Sequence, residues 1–251
     1  MKTVVVTGGA TGIGLAVAEY FLLNKWQVMI ASRNLKRLLE IKNELGSKYG
    51  ANLVDCYTVD VTNEESVQKL KQVTTQRFGT VDAVVNNAGI VIKGFVHEMK
   101  ADDWERIFST NVKGTFLISK AFLPEMMEVR KGTIVNISSV SGLAGDYGMT
   151  AYNASKAAIV NMTRAMAMDY GKYGIRVNSV APGPTNTNMF PQEMKAVFSK
   201  NSPIGRIVEP EEIAKAVYFM STDLSSAITG ETIPVTAGFE LSTGQPNMMY
   251  Q

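Results

Sequence analysis

The chain is poor in the side chains that bind metals and form disulfides. Its 251 residues include one cysteine, Cys56, and one histidine, His97. A lone cysteine cannot close an intramolecular disulfide, and one cysteine with one histidine falls short of a structural zinc site. Serine–histidine catalysis would depend on His97, which lies in a polar segment and is expected at the surface. We therefore expect no metal, no disulfide and no hydrolase of that class.

An excess of charge and a long apolar run are also missing. Lys and Arg number 25 against 23 Asp and Glu, a formal net charge of +2, so nothing favours nucleic acid or an anionic membrane as the main partner. No apolar stretch approaches the length that spans a bilayer. The N-terminus enters a predicted strand at Thr3 without the features of a secretory signal. We expect a cytoplasmic protein that binds neither nucleic acid nor membrane.

What the chain does contain is a regular alternation of short β-branched runs with helical segments. With 45% hydrophobic residues, it can bury one substantial core. The alternation predicts an α/β domain: a doubly wound, seven-stranded parallel sheet with helices on both faces. The predicted strands are Thr3–Val6, Gln27–Ser32, Leu53–Val59, Ala83–Asn86, Thr133–Ile137, Arg176–Ala181 and Thr232–Val235. The predicted helices are Gly12–Asn24, Leu35–Leu45, Asn63–Phe78, Asp102–Met127, Tyr152–Tyr173 and Pro210–Ser221.

The first predicted strand runs into a glycine-rich turn, Thr7-Gly8-Gly9-Ala10-Thr11-Gly12-Ile13-Gly14. Glycines permit a tight turn and a close approach of backbone to phosphate, and the helix that follows offers free N–H groups. The spacing differs from the commoner G-x-G-x-x-G pattern, and a simple strand-to-helix turn is the alternative. After the first strand of such a sheet, the turn predicts a dinucleotide site in a single-domain Rossmann fold. The expected contacts are Gly8, Thr11, Gly12, Ile13 and Gly14.

The segment Ser32-Arg33-Asn34, at the end of the second strand, indicates which nicotinamide cofactor binds. NAD-binding domains usually place an acidic residue about 20 positions after the glycine turn, on the ribose 2′-hydroxyl. Here no carboxylate would repel a 2′-phosphate, and Arg33 can grip one with its planar guanidinium. A solvated arginine at the start of a helix is the alternative. The pattern favours NADP(H) over NAD, with all three residues as contacts.

Two later strand ends supply further candidate cofactor contacts. Asp60 and Val61 follow the third strand, where Asp60 can accept a hydrogen bond from the adenine amino group, cap the next helix, or do both. Asn87, Ala88 and Gly89 close the fourth strand. These small and polar residues fit a turn, and they also fit a backbone that approaches a cofactor closely.

Tyr152 and Lys156 lie four residues apart in a predicted helix, which places a phenol and an ammonium on one face. An unperturbed tyrosine has a pKa of about 10 and is a poor acid–base catalyst at neutral pH. A fixed positive charge nearby stabilises the phenolate and lowers that pKa. Ser139 follows the fifth strand, and ligands gather at the carboxyl ends of strands in such sheets. The three residues are therefore expected at one cleft, where hydride transfer would occur.

In their order along the chain, these motifs resemble the short-chain dehydrogenase/reductase family over nearly its whole length, and most of all its 3-oxoacyl-(acyl-carrier-protein) reductase-like group. The resemblance is carried by Thr7-Gly8-x-x-x-Gly12-Ile13-Gly14, Asn86-Asn87-Ala88-Gly89, Asn111-Val112-x-Gly114, Ser139, Tyr152-x-x-x-Lys156 and Pro182-Gly183-x-x-x-Thr187. It implies that residues 1–251 form one dinucleotide-binding catalytic domain, an NADP(H)-dependent oxidoreductase acting on a ketone or secondary alcohol. A specific 3-oxoacyl-(acyl-carrier-protein) reductase and a non-catalytic dinucleotide-binding regulator remain alternatives.

The resemblance also implies a role for each catalytic residue. Tyr152 is the general acid/base, and Lys156 lowers its pKa and holds the nicotinamide ribose. Ser139 holds the substrate carbonyl against Tyr152. Asn111 anchors a water that completes a proton relay, with a kink or a buried amide in the fourth helix as the alternative. Further cofactor contacts are Tyr152, Lys156, Pro182, Gly183, Thr185 and Thr187.

The substrate side and the assembly are predicted more loosely. Pro182-Gly183-Pro184 breaks the pattern after the sixth strand, and the segment at about 183–202 is expected to form a substrate lid rather than an ordinary connection. The expected substrate contacts are Ser139, Ser141, Tyr147, Met149, Tyr152 and Met189. Two helices are apolar on more than one stripe, which, with the family resemblance, suggests a homotetramer. Arg130 and Lys172 are candidate docking points for an acyl carrier protein.

Overall fold

A computed structural model describes residues 1–188 and 190–241. Seven strands form one sheet in the order β3-β2-β1-β4-β5-β6-β7. The strands are β1 (Thr3–Thr7), β2 (Gln27–Ser32), β3 (Val54–Thr58), β4 (Ala83–Asn86), β5 (Gly132–Ile137), β6 (Ile175–Pro182) and β7 (Thr232–Val235). The helices are α1 (Gly12–Leu23), α2 (Leu35–Tyr49), α3 (Glu64–Phe78), α4 (Ala101–Phe108), α5 (Gly114–Glu128), α6 (Thr150–Tyr170), α7 (Lys195–Lys200) and α8 (Pro210–Ser221).

The strand order confirms the predicted doubly wound sheet. All six pairs of neighbouring strands are parallel. From β1 the chain builds outward to β3, then returns to the other side of β1 with β4. The carboxyl ends of β1 and β4 therefore flank a crevice at the point where the direction of winding changes, which is where such sheets bind ligands.

Two apolar cores cover the two faces of the sheet. Because successive strand residues face opposite sides, Val4 and Val6 of β1 pack into one core and Val5 into the other. The first core lies against α1, α2 and α8, and the second against α3, α5 and α6. Burial on both faces explains why the strands read as nearly continuous apolar runs.

Two predicted elements differ from the structure. The helix predicted over Asp102–Met127 is interrupted, because a π-helical segment, Ser109–Lys113, separates α4 from α5. The segment at about 183–202, in which no helix is predicted, contains α7. Neither feature has a clear sequence signal, since a π-turn keeps helical composition and six residues are too few to show a period. No helix in the described ranges has the length and apolar character to cross a membrane.

Candidate active site

The glycine turn between β1 and α1 is held against the end of β4. Gly8 has a φ of +65°, and a Cβ there would lie 2.7 Å from Asn87 Nδ2. That same amide donates to the carbonyl oxygens of Thr7 (3.0 Å) and Gly8 (3.2 Å). A Cβ on Gly14 would collide with the Gly8 carbonyl. Glycine is therefore required at both positions, and Asn87 fixes the turn rather than merely following it.

The same junction is tied together from the β1 side by Thr7. Its hydroxyl donates to the carbonyl of Val85 (3.3 Å) and accepts the N–H groups of Asn87 (3.0 Å) and Ala88 (3.1 Å). The ends of β1 and β4 are thereby locked side by side. This leaves the predicted contacts Ala88 and Gly89 at the edge of the crevice.

The start of α1 and the end of β2 fit a bound dinucleotide. Thr11 precedes α1 with an extended backbone, and in the described chain no side chain caps this helix; its first turn contains no acidic residue. The N–H groups around Ile13 are therefore suited to an anionic pyrophosphate. At the end of β2, the buried hydroxyl of Ser32 has no hydrogen-bond partner among the described residues. Buried hydroxyls are normally paired, so a ligand bound at this strand end would supply the partner that Ser32 lacks.

Arg33 and Asn34 are both exposed next to Ser32. The side-chain oxygen of Asn34 accepts the Arg37 N–H (3.1 Å) and so caps α2. This capping role leaves the amide nitrogen of Asn34 as the part that can face a ligand. Arg33 extends into solvent, free to meet a phosphate.

Asp60 is exposed after β3, and its carboxylate accepts hydrogen bonds from the Thr62 N–H (2.9 Å) and the Thr62 hydroxyl (2.8 Å). These two bonds lower the pKa of Asp60, and the charges of Arg33 and Lys113 act in the same direction, against a smaller opposing effect of burial. The N-cap of α3 is Asn63, whose side-chain oxygen accepts the Ser66 N–H (2.8 Å). Asp60 therefore shapes the preceding turn, and the helix-cap alternative for it is wrong.

Val61, the other candidate contact after β3, is buried. A Cβ on Gly114, at the start of α5, would lie 2.8 Å from a methyl group of Val61. The glycine at position 114 is therefore needed for α5 to pack closely against this strand end. The side chain of Val61 therefore packs against the start of α5 at the end of β3.

Ser139, Tyr152 and Lys156 come together at the end of β5 and the start of α6. The Ser139 oxygen is buried and accepts the Ser141 N–H (3.1 Å), and the Ser139 hydroxyl lies close enough to the Tyr152 side chain to affect its pKa. Lys156 Nζ donates to the Ile137 carbonyl (2.8 Å) and lies 5.6 Å from the centroid of the Tyr152 ring. The serine and the tyrosine thus form a polar pair that could hold one carbonyl oxygen.

Ser138, next to Ser139, has a different role. Its hydroxyl donates to the Val180 carbonyl (3.2 Å) and accepts from the Ser179 hydroxyl (2.7 Å). Both partners belong to β6, so Ser138 ties two strands together. The choice of Ser139 as the residue that faces the crevice agrees with this geometry.

The ionisation of this group differs from the expectation that Lys156 lowers the pKa of Tyr152. Burial raises the pKa of Tyr152, with the hydrogen bond to Ser139 acting in the opposite direction and the charge of Asp146 adding to the rise. Burial also lowers the pKa of Lys156 to about 8. The lysine is directed at a main-chain carbonyl rather than at the phenol. In this structure desolvation therefore dominates both groups.

Asn111 lies in the π-helical segment and is completely buried. Its side-chain oxygen accepts the Ile90 N–H (2.8 Å), and its amide donates to the Ile90 carbonyl (3.0 Å) and to the Ser155 hydroxyl (3.0 Å). The alternative expectation, a buried amide at an irregularity of the helix, agrees with the structure, and the residue also contacts the catalytic helix through Ser155. Its place in a water relay stays a prediction.

The loop after β6 folds back toward the glycine turn. The Gly183 N–H donates to the Val235 carbonyl (3.0 Å), and a Cβ on Gly183 would lie 2.9 Å from the backbone of Thr236. This close packing sets the direction in which the chain leaves Pro182. The Thr185 hydroxyl donates to the Gly183 carbonyl (2.8 Å), so its proton is used within the loop.

Thr187 is the residue of this loop that reaches the cofactor crevice. A Cβ on Gly12 would lie 3.4 Å from the Thr187 methyl group. The segment is further held at its base, where Asn186 Nδ2 donates to both carboxylate oxygens of Glu209 (3.1 and 2.9 Å). The predicted lid is therefore anchored at the crevice, and its opening and closing stay a prediction.

The predicted substrate contacts are unevenly placed. Ser141 is buried in a turn beside Ser139, and Met149 is half-buried just before α6. Tyr147 is fully exposed. The carbonyl of the next residue, Gly148, accepts a hydrogen bond from the Gly94 N–H (2.8 Å), which ties this loop to the segment after β4. A contact between Tyr147 and a substrate stays a prediction that requires this loop to bend inward. Met189 lies outside the described residues.

Sequence reasoning missed Ser155, which is buried between Asn111 and Tyr152. A signal for it existed, because it is a polar residue three positions after Tyr152 and therefore on the same helical face. A serine in a helix is, however, usually satisfied by its own backbone, and this hid its second contact.

Comparisons with known proteins agree with this geometry. A family model described as enoyl-(acyl carrier protein) reductase matches residues 8–240. The chain belongs to the short-chain dehydrogenase/reductase family. It is 38% identical to the meso-2,3-butanediol dehydrogenase of Serratia marcescens, over 99% of this chain and 98% of that protein. It is 40% identical to the 3-oxoacyl-(acyl-carrier-protein) reductase FabG of Haemophilus influenzae, over 96% of this chain and 99% of that protein.

A solved structure, ElxO with NADP bound, superposes on this member of the family with a TM-score of 0.91. The two chains are 33% identical, and the match covers 96% of this chain and 99% of the other. The predicted family and fold are thus confirmed. The relatives are dehydrogenases and reductases of mixed substrate, so membership establishes an oxidoreductase without naming its substrate.

Proposed function

We propose that the protein is an NADP(H)-dependent oxidoreductase that interconverts a ketone and a secondary alcohol, with Tyr152 as general acid/base. The observation that carries the proposal is the grouping of Ser139, Tyr152 and Lys156 at the crevice that the glycine turn borders. A nucleotide cradle and a proton donor in one crevice suit hydride transfer coupled to proton transfer.

The residues of this chain divide the work as follows. Ser139, whose oxygen accepts the Ser141 N–H, directs its proton toward the carbonyl oxygen of the substrate. Tyr152 donates its phenolic proton to that oxygen during reduction and removes it during oxidation. Lys156 is close enough to hold ribose hydroxyls beside the tyrosine. The bound nicotinamide supplies or accepts the hydride, and the protein supplies position and electrostatics.

The ionisation described above favours the reductive half of this reaction near neutral pH. Burial raises the pKa of Tyr152, so the phenol stays protonated and ready to donate. Lys156, whose pKa is lowered to about 8, remains mostly charged at pH 7. A protonated tyrosine beside a charged lysine is the pair that reduction requires.

The cofactor is assigned as NADP(H) on two grounds. Arg33 is exposed at the end of β2, next to a serine whose hydroxyl has no partner among residues 1–188 and 190–241, and no acidic residue stands in Ser32-Arg33-Asn34. The structural relative ElxO was solved with NADP bound. A guanidinium pairs with a 2′-phosphate through charge and through its planar donors.

A narrower function, reduction of 3-oxoacyl groups on an acyl carrier protein, is the second candidate. The FabG relative bears that name. Arg130 Nη2 donates to the main-chain carbonyl of Lys172 (2.7 Å), so the two basic residues form one exposed patch that suits an acidic partner. The completeness of the catalytic group disfavours the third candidate, a non-catalytic regulator.

The homotetramer stays a proposal, with a structural argument in its favour. Trp104 of α4, Phe116 of α5 and Met168 of α6 are 38%, 49% and 85% exposed. Exposed apolar side chains that together form a contiguous patch mark an interaction site. We propose that these helices meet those of a second copy, and that the enzyme works in the cytoplasm on a small carbonyl compound.

The substitution Tyr152→Phe tests the proposed function. It removes only the phenolic oxygen, so we expect turnover to fall by at least about 1,000-fold, within the range of general acid–base catalysis plus positioning. NADPH should still bind, because its cradle lies on α1 and β2. Turnover is measured as NADPH consumption with ketones, diketones and 3-oxoacyl thioesters, and binding by NADPH fluorescence.

The wild-type protein is the control in both assays. A Tyr152→Phe protein that turns over at the wild-type rate would remove the tyrosine from its assigned role. A wild-type protein that binds NADH and NADPH equally would contradict the choice of cofactor. Activity with free ketones and none with 3-oxoacyl thioesters would exclude the narrower function.

A further inference from the structure

Asn111 is the only one of the four proposed catalytic residues whose side chain is held by three hydrogen bonds in the described chain. Two of them clamp the backbone of Ile90 from both sides, N–H and carbonyl. The third links its amide to the hydroxyl of Ser155, on the catalytic helix. The side chain thus joins the segment after β4 to the helix that presents Tyr152.

The hydroxyl of Ser155 requires the same amide orientation as the two contacts with Ile90. Ser155 is completely buried, and its oxygen lies 2.7 Å from the Tyr152 carbonyl, to which it donates. A hydroxyl has one proton, so Ser155 can only accept from Asn111. It therefore requires the NH₂ group of Asn111 to face it, which leaves the Asn111 oxygen for the Ile90 N–H. A reversed amide would set two donors against each other at the Ile90 N–H, and would set its oxygen against the Ile90 carbonyl and against a Ser155 oxygen that has no proton left to donate.

The orientation of Asn111 matters because Lys156 lies beside it. A Cβ placed on Gly89 would be 3.3 Å from the Asn111 oxygen and 3.6 Å from Lys156 Nζ. The amide and the ammonium therefore approach the same point at the end of β4. A displaced amide would change both the surroundings of the lysine and the backbone of Ile90, which borders the cofactor crevice.

We propose that Ser155 is a positioning residue for this active site. It does not touch the reacting atoms; it supports the orientation of Asn111 that the Ile90 contacts set, and couples this amide to the backbone of Tyr152. The expected effect of Ser155 on turnover rests on the proposed function. Its effect on the contacts between Asn111 and Ile90 does not depend on the substrate.

The test compares Ser155→Ala with Ser221→Ala. Ser221 is the matched control, because it is a buried helical serine that donates to the Val217 carbonyl (2.8 Å) on α8, away from the crevice. Each substitution removes one buried hydroxyl, so both should lower Tm by a few degrees. Only Ser155→Ala should lower kcat by about tenfold and shift the pH profile of kcat, since a lost buried hydrogen bond has about that effect.

A crystal structure of Ser155→Ala gives a readout that does not depend on activity. We expect the Asn111 amide to leave at least one of its two contacts with Ile90. Unchanged contacts there, a kcat within twofold of the wild type, or an equal loss of kcat in Ser221→Ala would each overturn the inference. Wild-type protein that reduces no carbonyl compound would instead refute the proposed function, and the Asn111 geometry would still decide the role of Ser155.

Discussion

Lys156 is a charged side chain inside the protein, and its removal should stabilise the fold. Only 4% of the residue is exposed, and burial lowers its pKa from 10.5 to about 8. The gap between these pKa values corresponds to about 3 kcal/mol by which the folded protein disfavours the ammonium at pH 7. Methionine is similar in length and uncharged, and it loses only the hydrogen bond to Ile137, which contributes about 1 kcal/mol. We expect Lys156→Met to raise the free energy of unfolding by about 2 kcal/mol at pH 7 and to abolish turnover.

The size of this stabilisation depends on pH in a defined way. Below pH 8 the lysine is charged in both the folded and the unfolded protein, so the wild type bears the full penalty of burial. Between about pH 8 and 10.5 the folded protein releases a proton that the unfolded chain keeps, and wild-type stability rises relative to the variant. The advantage of Lys156→Met should therefore shrink as the pH is raised to 10.

Equilibrium urea unfolding at pH 7, 8.5 and 10, at one protein concentration, measures this difference. Lys36→Met is the control, because Lys36 is an exposed residue of α2 and its replacement should change stability by less than about 0.5 kcal/mol. A Lys156→Met protein less stable than the wild type at pH 7 would refute the reasoning. So would a stability difference that is the same at all three pH values.

Two further predictions concern the cofactor and the edge of the sheet. Arg33→Ala should weaken NADPH binding at least about tenfold and leave NADH binding nearly unchanged, because a charge-assisted contact to the 2′-phosphate is lost. Fluorescence titrations measure both affinities. Equal losses for the two cofactors would show that Arg33 does not bind the phosphate. Asp55, on edge strand β3, joins Lys42 of α2 (2.6 Å) to Arg77 of α3 (3.0 Å). Burial alone would raise the pKa of Asp55, but the hydrogen bonds from Lys42, the Cys56 N–H and Arg77 outweigh it and lower the pKa. Its contribution is therefore present above about pH 4 and lost as the pH falls through the lowered pKa. Asp55→Ala should lose about 1–2 kcal/mol at pH 7 and less at pH 3, measured by urea unfolding, and an equal loss at both pH values would argue against the ion pairs.

The sheet and the family blocks could be predicted from the sequence because each leaves a local pattern. A buried parallel strand reads as an apolar run, and the glycine turn needs glycine at fixed positions. The partners of polar side chains leave no such pattern. That Lys156 would reach the Ile137 carbonyl, and Asn111 the backbone of Ile90, depends on how distant segments pack. The π-helical segment that buries Asn111 was hidden for the same reason, since its composition is that of an ordinary helix.

Two buried polar groups, a hydroxyl without a partner and an ammonium with a lowered pKa, point to the same kind of ligand. At the end of β2, the buried Ser32 hydroxyl has no partner in the part of the chain that the structure describes. At the end of β5, Lys156 keeps an ammonium where burial lowers its pKa to about 8. A stable fold gains nothing from either, and strongly perturbed pKa values cluster at functional sites. Sugar hydroxyls would correct both, by pairing with the serine and by solvating the ammonium. A dinucleotide carries two riboses, and a molecule laid across the crevice from β2 to β5 would bring one to each place.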